Sequence, residues 1–595
     1  HFFGFFSAFN PDVVKDFKLY KSGIPAEFGG RISSVFDINT KSGNTKKIAG
    51  SGGISPVTAK LMVEGPIVKD KGSFVLAARG TYSDWLMTRF PNSELRNSEA
   101  SFYDMNLTLT QQINAKNTIS VSAYMSQDRF KLRSDTVYRY NNFNGTFSWN
   151  HHFSDRFIGE ASAIASNYAY DISSDGNPVN AYSMLYRILY MEGRTDFIYF
   201  PNNDHKVKFG VSSVSYNLQP GSRNPLGEES LVKPVHMERE KAHDLSIYLS
   251  EEYTLSAHLS FYGGLRYSLY RFLGPKSLFQ YAPGAVELYN LEDTVAYGPG
   301  TIQTYHGPEL RFSARYKFDN ETSLKLSYNR LRQSLHMLSN TTAISPTDTW
   351  KLSDPHIRPQ VGDQVALGFY RDFRHNTIET SMEIYYKYIN DIIEYQSGAN
   401  LLLNPHIETD LINGIGQAYG TELLIRKTSG RFNGWMSYTY SRTFIKVDGE
   451  VQEEKINNGA YFPANYDKPH DFTMVTNYKF SRRFSLSGTL TYSTGRPITY
   501  PVAKYRFRNA TLAHYSFRNE YRVPDYFRCD ISANLEGNLR SKKLAHSFWS
   551  LSVYNLTGRN NVYSIYFITQ GGELKGYKMS IFDRPVPTLT YTFKF

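Results

Sequence analysis

Asn376-Thr-Ile-Glu-Thr-Ser-Met-Glu-Ile-Tyr-Tyr-Lys-Tyr-Ile389 alternates two kinds of side chain along its length. Ile378, Met382, Ile384, Tyr386 and Tyr388 fall on one face of an extended chain, and Thr377, Glu379, Ser381, Glu383 and Lys387 on the other, because successive side chains of a strand point to opposite sides. The period recurs in Arg483 to Ser493, where Phe484, Leu486, Leu490 and Tyr492 oppose Ser485, Ser487, Thr489 and Thr491. It recurs again at the end, where Leu589, Tyr591, Phe593 and Phe595 oppose Thr588, Thr590, Thr592 and Lys594. Such alternation suits a soluble sandwich as well as a membrane barrel.

The connections separate the two. Tight turns such as Asn114–Asn117, Phe153–Arg156, Phe318–Glu321 and Ser481–Arg483 interleave with long loops at 218–241, 272–306, 334–360, 391–415, 446–467 and 496–524. Short turns on one rim and long loops on the other predict an all-β, antiparallel transmembrane β-barrel of the outer-membrane type. Strand spans run from 45–55 to 586–595, with 545–568 read as one strand, and number twenty-two. An even count returns both barrel ends to the short-turn side, and a barrel of that size needs a plug in its lumen.

Composition agrees. The chain has 595 residues, with 46 Tyr and 40 Phe lifting aromatics to 15% while mean hydropathy stays at −0.45. No run approaches the roughly 18 apolar residues of a spanning helix, which excludes a helical membrane protein. Cys529 is the single cysteine, so neither an intrachain disulfide framework nor a multi-cysteine metal site can form; it reads as a packed or lipid-facing side chain. A formal net charge of +11 suits an anionic ligand, lipopolysaccharide phosphates or a basic lumen, the last being the plainest reading. The chain opens at His1 with no Met and no charged-then-apolar leader, so we expect the remainder of a longer precursor.

The stretch that does not fit the strand pattern is Gly23-Ile-Pro-Ala-Glu-Phe-Gly-Gly-Arg-Ile-Ser-Ser-Val-Phe-Asp-Ile-Asn-Thr-Lys-Ser-Gly43. It resembles the last part of the plug domain of TonB-dependent outer-membrane receptors, and Phe9 to Lys21 resembles the plug element before it. Leu61-Met-Val-Glu-Gly-Pro-Ile67, Tyr466-Asp-Lys-Pro-His-Asp-Phe472, Tyr492-Ser-Thr-Gly-Arg-Pro497, Val553-Tyr-Asn-Leu-Thr-Gly-Arg-Asn-Asn561 and the aromatic ending Tyr591–Phe595 extend the resemblance over the whole chain. It implies residues 1–44 as the C-terminal part of the plug and 45–595 as the barrel, in the outer membrane of a Gram-negative cell. It implies active import of a scarce or large nutrient, such as an iron chelate, cobalamin, a peptide or a glycan. The partners it implies are outer-membrane lipid and lipopolysaccharide, the TonB complex acting on a segment N-terminal to this sequence, and a surface lipoprotein or other outer-membrane subunit. The wording Ala26-Glu-Phe-Gly-Gly-Arg-Ile-Ser-Ser34 departs from the glycan-importing SusC-like branch. A barrel that has lost transport and serves as a scaffold in a larger outer-membrane complex is the alternative.

No enzyme, cofactor, metal or nucleic-acid motif stands out. Arg31 is the plug residue singled out, because a guanidinium inside a lumen must find carboxylates or carbonyls; Glu379, Glu383 and Glu422 are its expected partners in a plug–barrel lock. In the loop 496–524, Tyr500, Tyr505, Arg506, Arg508, Tyr515, Arg518 and Arg522 interleave aromatics with cations. That pattern suits ligand contact or an interfacial girdle against lipid phosphates.

Overall fold

Twenty-two antiparallel strands close on themselves, each hydrogen-bonded to its neighbours in the chain, and the last, Val586–Lys594, returns to the first, Ala49–Ile54. The computed structural model describes residues 7, 9–82, 98–131, 136–284, 286–339, 348–508, 510–537, 545–570, 573–580 and 584–595. At the seam Ser51 pairs with Lys594, and Gly50 and Phe595 exchange N–H···O bonds of 3.0 Å. A Cβ on Gly50 would lie 2.6 Å from the Phe595 ring, so a glycine here lets the terminal aromatic pack flat on the first strand. Closure leaves no unpaired strand edge, the condition for a sheet to cross a membrane.

The alternation read from the sequence sorts onto the two faces of the wall. On Gln360–Phe373, Val365, Leu367 and Phe369 are exposed on the outer face, while Gln364, Ala366 and Gly368 are buried on the lumenal one. At the short-turn rim the rings of Phe153, Phe157, Phe197 and Phe209 stack at 4.8–5.7 Å along neighbouring strands, the aromatic girdle of a membrane interface. Cys529 is half-buried on a strand whose Leu535, six residues on and so on the same face, is exposed outward. Among the described residues no helix is long and apolar enough to cross a membrane, which says nothing against crossing by strands.

Every expected strand is present, and the differences lie at the long-loop end. The span 272–306, read as a loop, is mostly strand: Leu259–Tyr281 and Leu291–Lys317 stay paired out to Tyr281 and Leu291. Much of that ribbon is polar and exposed, so it shows no hydrophobic period, and its backbone ladder continues through register shifts at Phe272/Leu273, Gly274/Lys276 and Gln280/Tyr281. The span 545–568 is two elements. His546–Tyr554 belongs to the barrel, whereas Val562–Gln570 pairs with Glu573–Ser580 in a separate hairpin. The break falls at Asn555 and Gly558, both at positive φ, a turn that strand alternation cannot pass through. Loops 334–360 and 496–524 likewise contain hairpins of their own, Leu335–Leu338 with Thr349–Leu352 and Pro501–Phe507 with Ala510–Tyr515.

The N-terminal residues form a sheet apart from the barrel. Strand β1 (Val14–Tyr20) pairs antiparallel with β2 (Val35–Thr40), Tyr20 opposite Val35, and residues 21–34 between them lie against lumenal side chains of the wall. The largest apolar cluster is at the mouth, where Tyr170, Tyr186, Tyr216, Tyr270 and Phe272 of the wall bury Leu335 and Leu352 of the inward-folded loop hairpin.

Candidate functional site

Barrel side chains hold the N-terminal segment by its backbone. Asn329 Oδ1 accepts from Ile24 N at 3.0 Å, Tyr262 Oη from Ala26 N at 2.7 Å and Gln333 Oε1 from Ile32 N at 3.2 Å. In the other direction Gln364 donates to the Lys21 carbonyl at 3.2 Å, Arg266 to the carbonyls of Ala26 and Glu27 at 3.4 and 3.3 Å, Arg311 to that of Phe28 at 3.2 Å, and Lys387 Nζ to that of Ile32. Eight main-chain atoms between Lys21 and Ile32 are thereby bonded. Ile24 and Ala26 are almost wholly buried beneath them.

The two arginines are themselves fixed. Glu309, fully buried, accepts from Arg311 at 3.0 Å and from Ser268 Oγ at 2.6 Å, and lies 4.0 Å from Arg266. A buried carboxylate between two guanidinium groups offsets their desolvation. Gly29 completes the fit, since a Cβ there would collide with the Arg266 guanidinium.

The expected lock is built differently from its sequence reading. Arg31 donates to the neighbouring Gly30 carbonyl at 2.8 Å, and Tyr216, Tyr190 and His336 are the groups that feel its charge. None of its three expected carboxylates pairs with it. Glu379 is taken by Arg426, Glu422 by Lys21, and Glu383 accepts from Ser22 Oγ at 3.2 Å and Tyr370 Oη at 2.9 Å. Arg31 lies nearer the mouth, so Glu383 and Glu422 meet the segment at Ser22 and Lys21 instead. Lys208 with Glu27, at 2.9 Å, is a further ion pair across the same contact.

Above the segment the mouth is stopped on one side by the hairpin Leu335–Leu338/Thr349–Leu352. Tyr186 Oη donates to the Trp350 carbonyl at 3.2 Å, Tyr270 Oη to Ser353 at 2.8 Å and Tyr305 Oη to Asp354 at 2.9 Å. Lys351, buried, reaches Glu240 Oε1 at 2.7 Å and Asp354 Oδ2 at 2.5 Å. The two carboxylates hold the Lys351 pKa above its ordinary value, and the ammonium holds that of Asp354 below its own, in each case against the effect of burial. His336 donates to or accepts from Ser353 Oγ at 2.8 Å; burial, with Lys351 nearby, pushes its pKa down to about 3.

The residues expected in loop 496–524 divide into two groups. Tyr500, Tyr505, Arg506, Arg508 and Tyr515 lie on or beside a ribbon that is exposed almost throughout. Arg518 and Arg522 are not free for a ligand. Arg518 is buried against Glu394 at 3.0 Å and stacks on Tyr395 at 4.4 Å, while Arg522 pairs with Asp467, which Arg442 also approaches at 3.4 Å. Buried carboxylates on neighbouring segments claimed these two cations, and spacing along one loop carries no sign of that. Sequence reasoning misses the gripping role of Asn329, Gln333, Gln364, Tyr262, Arg266, Arg311 and Lys387; their one signal is position on the polar face of a strand. Among the described residues no group of three or more His, Cys, Asp or Glu is placed to hold a metal.

A family model described as TonB dependent receptor-like, beta-barrel matches residues 77–556. Among solved structures the fold is similar to the ferric-catecholate import receptor Fiu of E. coli K12 in its closed form, with TM-score 0.66 and 12% identity over 95% of this chain and 84% of that one. It is similar also to the siderophore receptor PiuA of Acinetobacter baumannii, with TM-score 0.67 and 13% identity over 98% and 86%. A third is the copper transporter OprC, with TM-score 0.67 and 10% identity over 99% and 87% of the two chains. A search of curated proteins found no match.

Proposed function

The chain belongs to the TonB-dependent receptor family of the Gram-negative outer membrane, and on that footing we propose that it imports a scarce or bulky nutrient by TonB-driven release of its lumenal segment. We read residues 1–44 as the end of the plug and the rest as the barrel that it closes. The observation that carries the proposal is the grip on Lys21–Ile32: eight wall contacts to the backbone. At about 1 kcal/mol net for each bond, spontaneous release is rare and an external pull has something definite to break. Because the wall grips main-chain atoms, the bonds can re-form in the same register once the pull ends.

The lock therefore resides in Asn329, Tyr262, Gln333, Gln364, Arg266, Arg311 and Lys387, with Glu383 and Glu422 contributing through Ser22 and Lys21, and Arg31 acting at the mouth. Tyr500, Tyr505, Arg506, Arg508 and Tyr515 remain candidates for first contact with the nutrient on the exposed ribbon. Solved structures similar to this one include a ferric-catecholate import receptor and a copper transporter, which makes a metal or metal chelate one cargo to try first. Lipid, lipopolysaccharide and the TonB complex are the partners in this reading; a surface lipoprotein is a further one.

Native mass spectrometry of the protein from its own outer membrane, in mild detergent, tests the reading. A small molecule or peptide bound to a solitary barrel supports import. Stoichiometric protein partners with no ligand would turn the interpretation to a scaffold.

A further inference from the structure

At the mouth, on the wall away from the gripped segment, a cavity of about 380 Å³ opens between the ends of His470–Lys479, Phe484–Ser493, Tyr526–Glu536 and His546–Tyr554. It faces the lumen. Trp549, Leu551 and Leu535 are exposed on the outer face of these strands, and the cavity residues Arg528, Tyr526 and Tyr554 occupy the alternate positions. Three cations line it, Lys468, Arg496 and Arg528, against one carboxylate, Asp471.

The three cations are not equivalent. Arg528 is committed: it pairs with Asp530 at 3.0 Å, donates to Tyr526 Oη at 3.0 Å and Tyr554 Oη at 2.9 Å, and stacks over the Tyr554 ring at 4.6 Å. It makes a rigid floor. Arg496 has a single side-chain bond, to the Tyr563 carbonyl at 2.7 Å, and no carboxylate partner among the described residues, although its side chain is substantially buried. Burial presses its pKa below the ordinary guanidinium value. Lys468, beside it in the lining, has no partner for its ammonium among the described residues. The adjacent Asp467 does not serve them, because Arg522 and Arg442 already hold it.

A half-desolvated guanidinium with one acceptor is an expensive group to keep in a wall unless something negative visits it. Its planar fork suits two oxygens of one anion, and the tyrosine rings of the floor offer a face for a flat or sugar ring beside that anion. We propose that this cavity is a binding site for a small oxyanion-bearing molecule, a carboxylate or a phosphate, held by Arg496 and Lys468 over the Arg528–Tyr554 floor. The volume admits a ring with one such group, at the lower end of ordinary ligand pockets. The site rests on the import reading only for the fate of what it binds.

The test is calorimetric titration of the detergent-purified full chain at low ionic strength with benzoate, inorganic phosphate and, as the uncharged control, benzamide. Benzoate or phosphate should bind, benzamide should not, and whichever anion binds more tightly says whether the group taken is a carboxylate or a phosphate. Arg496→Gln and Lys468→Gln should each weaken that binding at least about tenfold, the loss of one charge-assisted contact. Arg496→Lys should recover part of it, and Lys233→Gln, on an exposed loop outside the cavity lining, should change nothing. Heat-modifiable migration on gels checks that each variant forms the barrel. Absence of binding by either anion, or equal affinity in Arg496→Gln and wild type, overturns the proposal. Binding that persists in a protein unable to support uptake would refute the import reading and leave this site standing.

Discussion

Replacing Lys351 by methionine removes the one ammonium that the hairpin Leu335–Leu338/Thr349–Leu352 brings into the mouth, and leaves Glu240 and Asp354 buried without it. All three side chains are about 95% or more hidden from solvent. Breaking such a pair from one side costs about 3–5 kcal/mol, because an uncompensated charge stays behind. The lower end applies here. Glu240 keeps the Leu352 N–H at 3.1 Å and has Lys276 at 3.9 Å, and Asp354 keeps the N–H groups of His356 and Ile357 at 2.9 Å each. A loss of about 3 kcal/mol corresponds to exchange of the hairpin amides on the order of 10² times faster, read by hydrogen–deuterium exchange on the protein in detergent. Barrel strands such as Phe432–Lys446 should exchange as before. The triple variant Lys351→Met, Glu240→Gln, Asp354→Asn should recover most of the protection, since neither carboxylate is left charged and the remaining cation, Lys276, keeps the Glu238 carbonyl at 3.1 Å. Unchanged exchange in the single variant would show instead that the tyrosine contacts and apolar burial hold the hairpin unaided.

Gly29→Ala should loosen the gripped segment by about 2–3 kcal/mol, by driving the Arg266 guanidinium off the carbonyls of Ala26 and Glu27; faster exchange of residues 21–34 and sensitivity of cells to a bulky antibiotic would report it, and wild-type behaviour of both would argue against the grip. Lys21→Ala, by contrast, breaks a pair whose lysine is 44% exposed, so it should alter segment exchange by less than about 1 kcal/mol; a larger effect would mean that the lock is ionic after all. His336, with a folded pKa of about 3 against roughly 6.5 unfolded, should make the seated hairpin weaker in acid. Its contribution is whole above pH 6.5 and falls by about 1.4 kcal/mol per unit as the pH drops toward 3, because only the unseated form takes up the proton. Hairpin exchange compared at pH 7.5 and 5.0, after correction for intrinsic rates, should show that slope in the wild type and lose it in His336→Gln.

The barrel was legible because its determinants are local and repeated. The face assignment of Ile378, Met382, Ile384 and Tyr386 against Glu379 and Glu383 holds in the wall as written, since a strand's period survives whatever the loops do. What failed to show was decided across the lumen. Arg518 looks free in its own loop and is taken by Glu394, which is 124 residues away in sequence. Arg31 sits inside the gripped stretch Lys21–Ile32, yet its charge faces Tyr216 and Tyr190. The grip itself is carried by amide, phenol, guanidinium and ammonium groups acting on main-chain atoms, which have no sequence signature in the segment they hold. The ribbon 291–306 carries almost no apolar alternation, and its strand rests mainly on backbone pairing, with Ile302 and Tyr305 packing on the mouth cluster.

Energised import can be followed by comparing solute depletion from the medium. Cells with and without this chain, each with a working or a deleted TonB, would be grown in one defined medium supplemented with metal chelates, small acids, peptides and glycans, and the spent medium assayed by mass spectrometry. At least one solute should be removed only when both the chain and TonB are present, with removal abolished by a protonophore. Identical depletion in all four strains, together with a correctly folded barrel in the outer membrane, would contradict it.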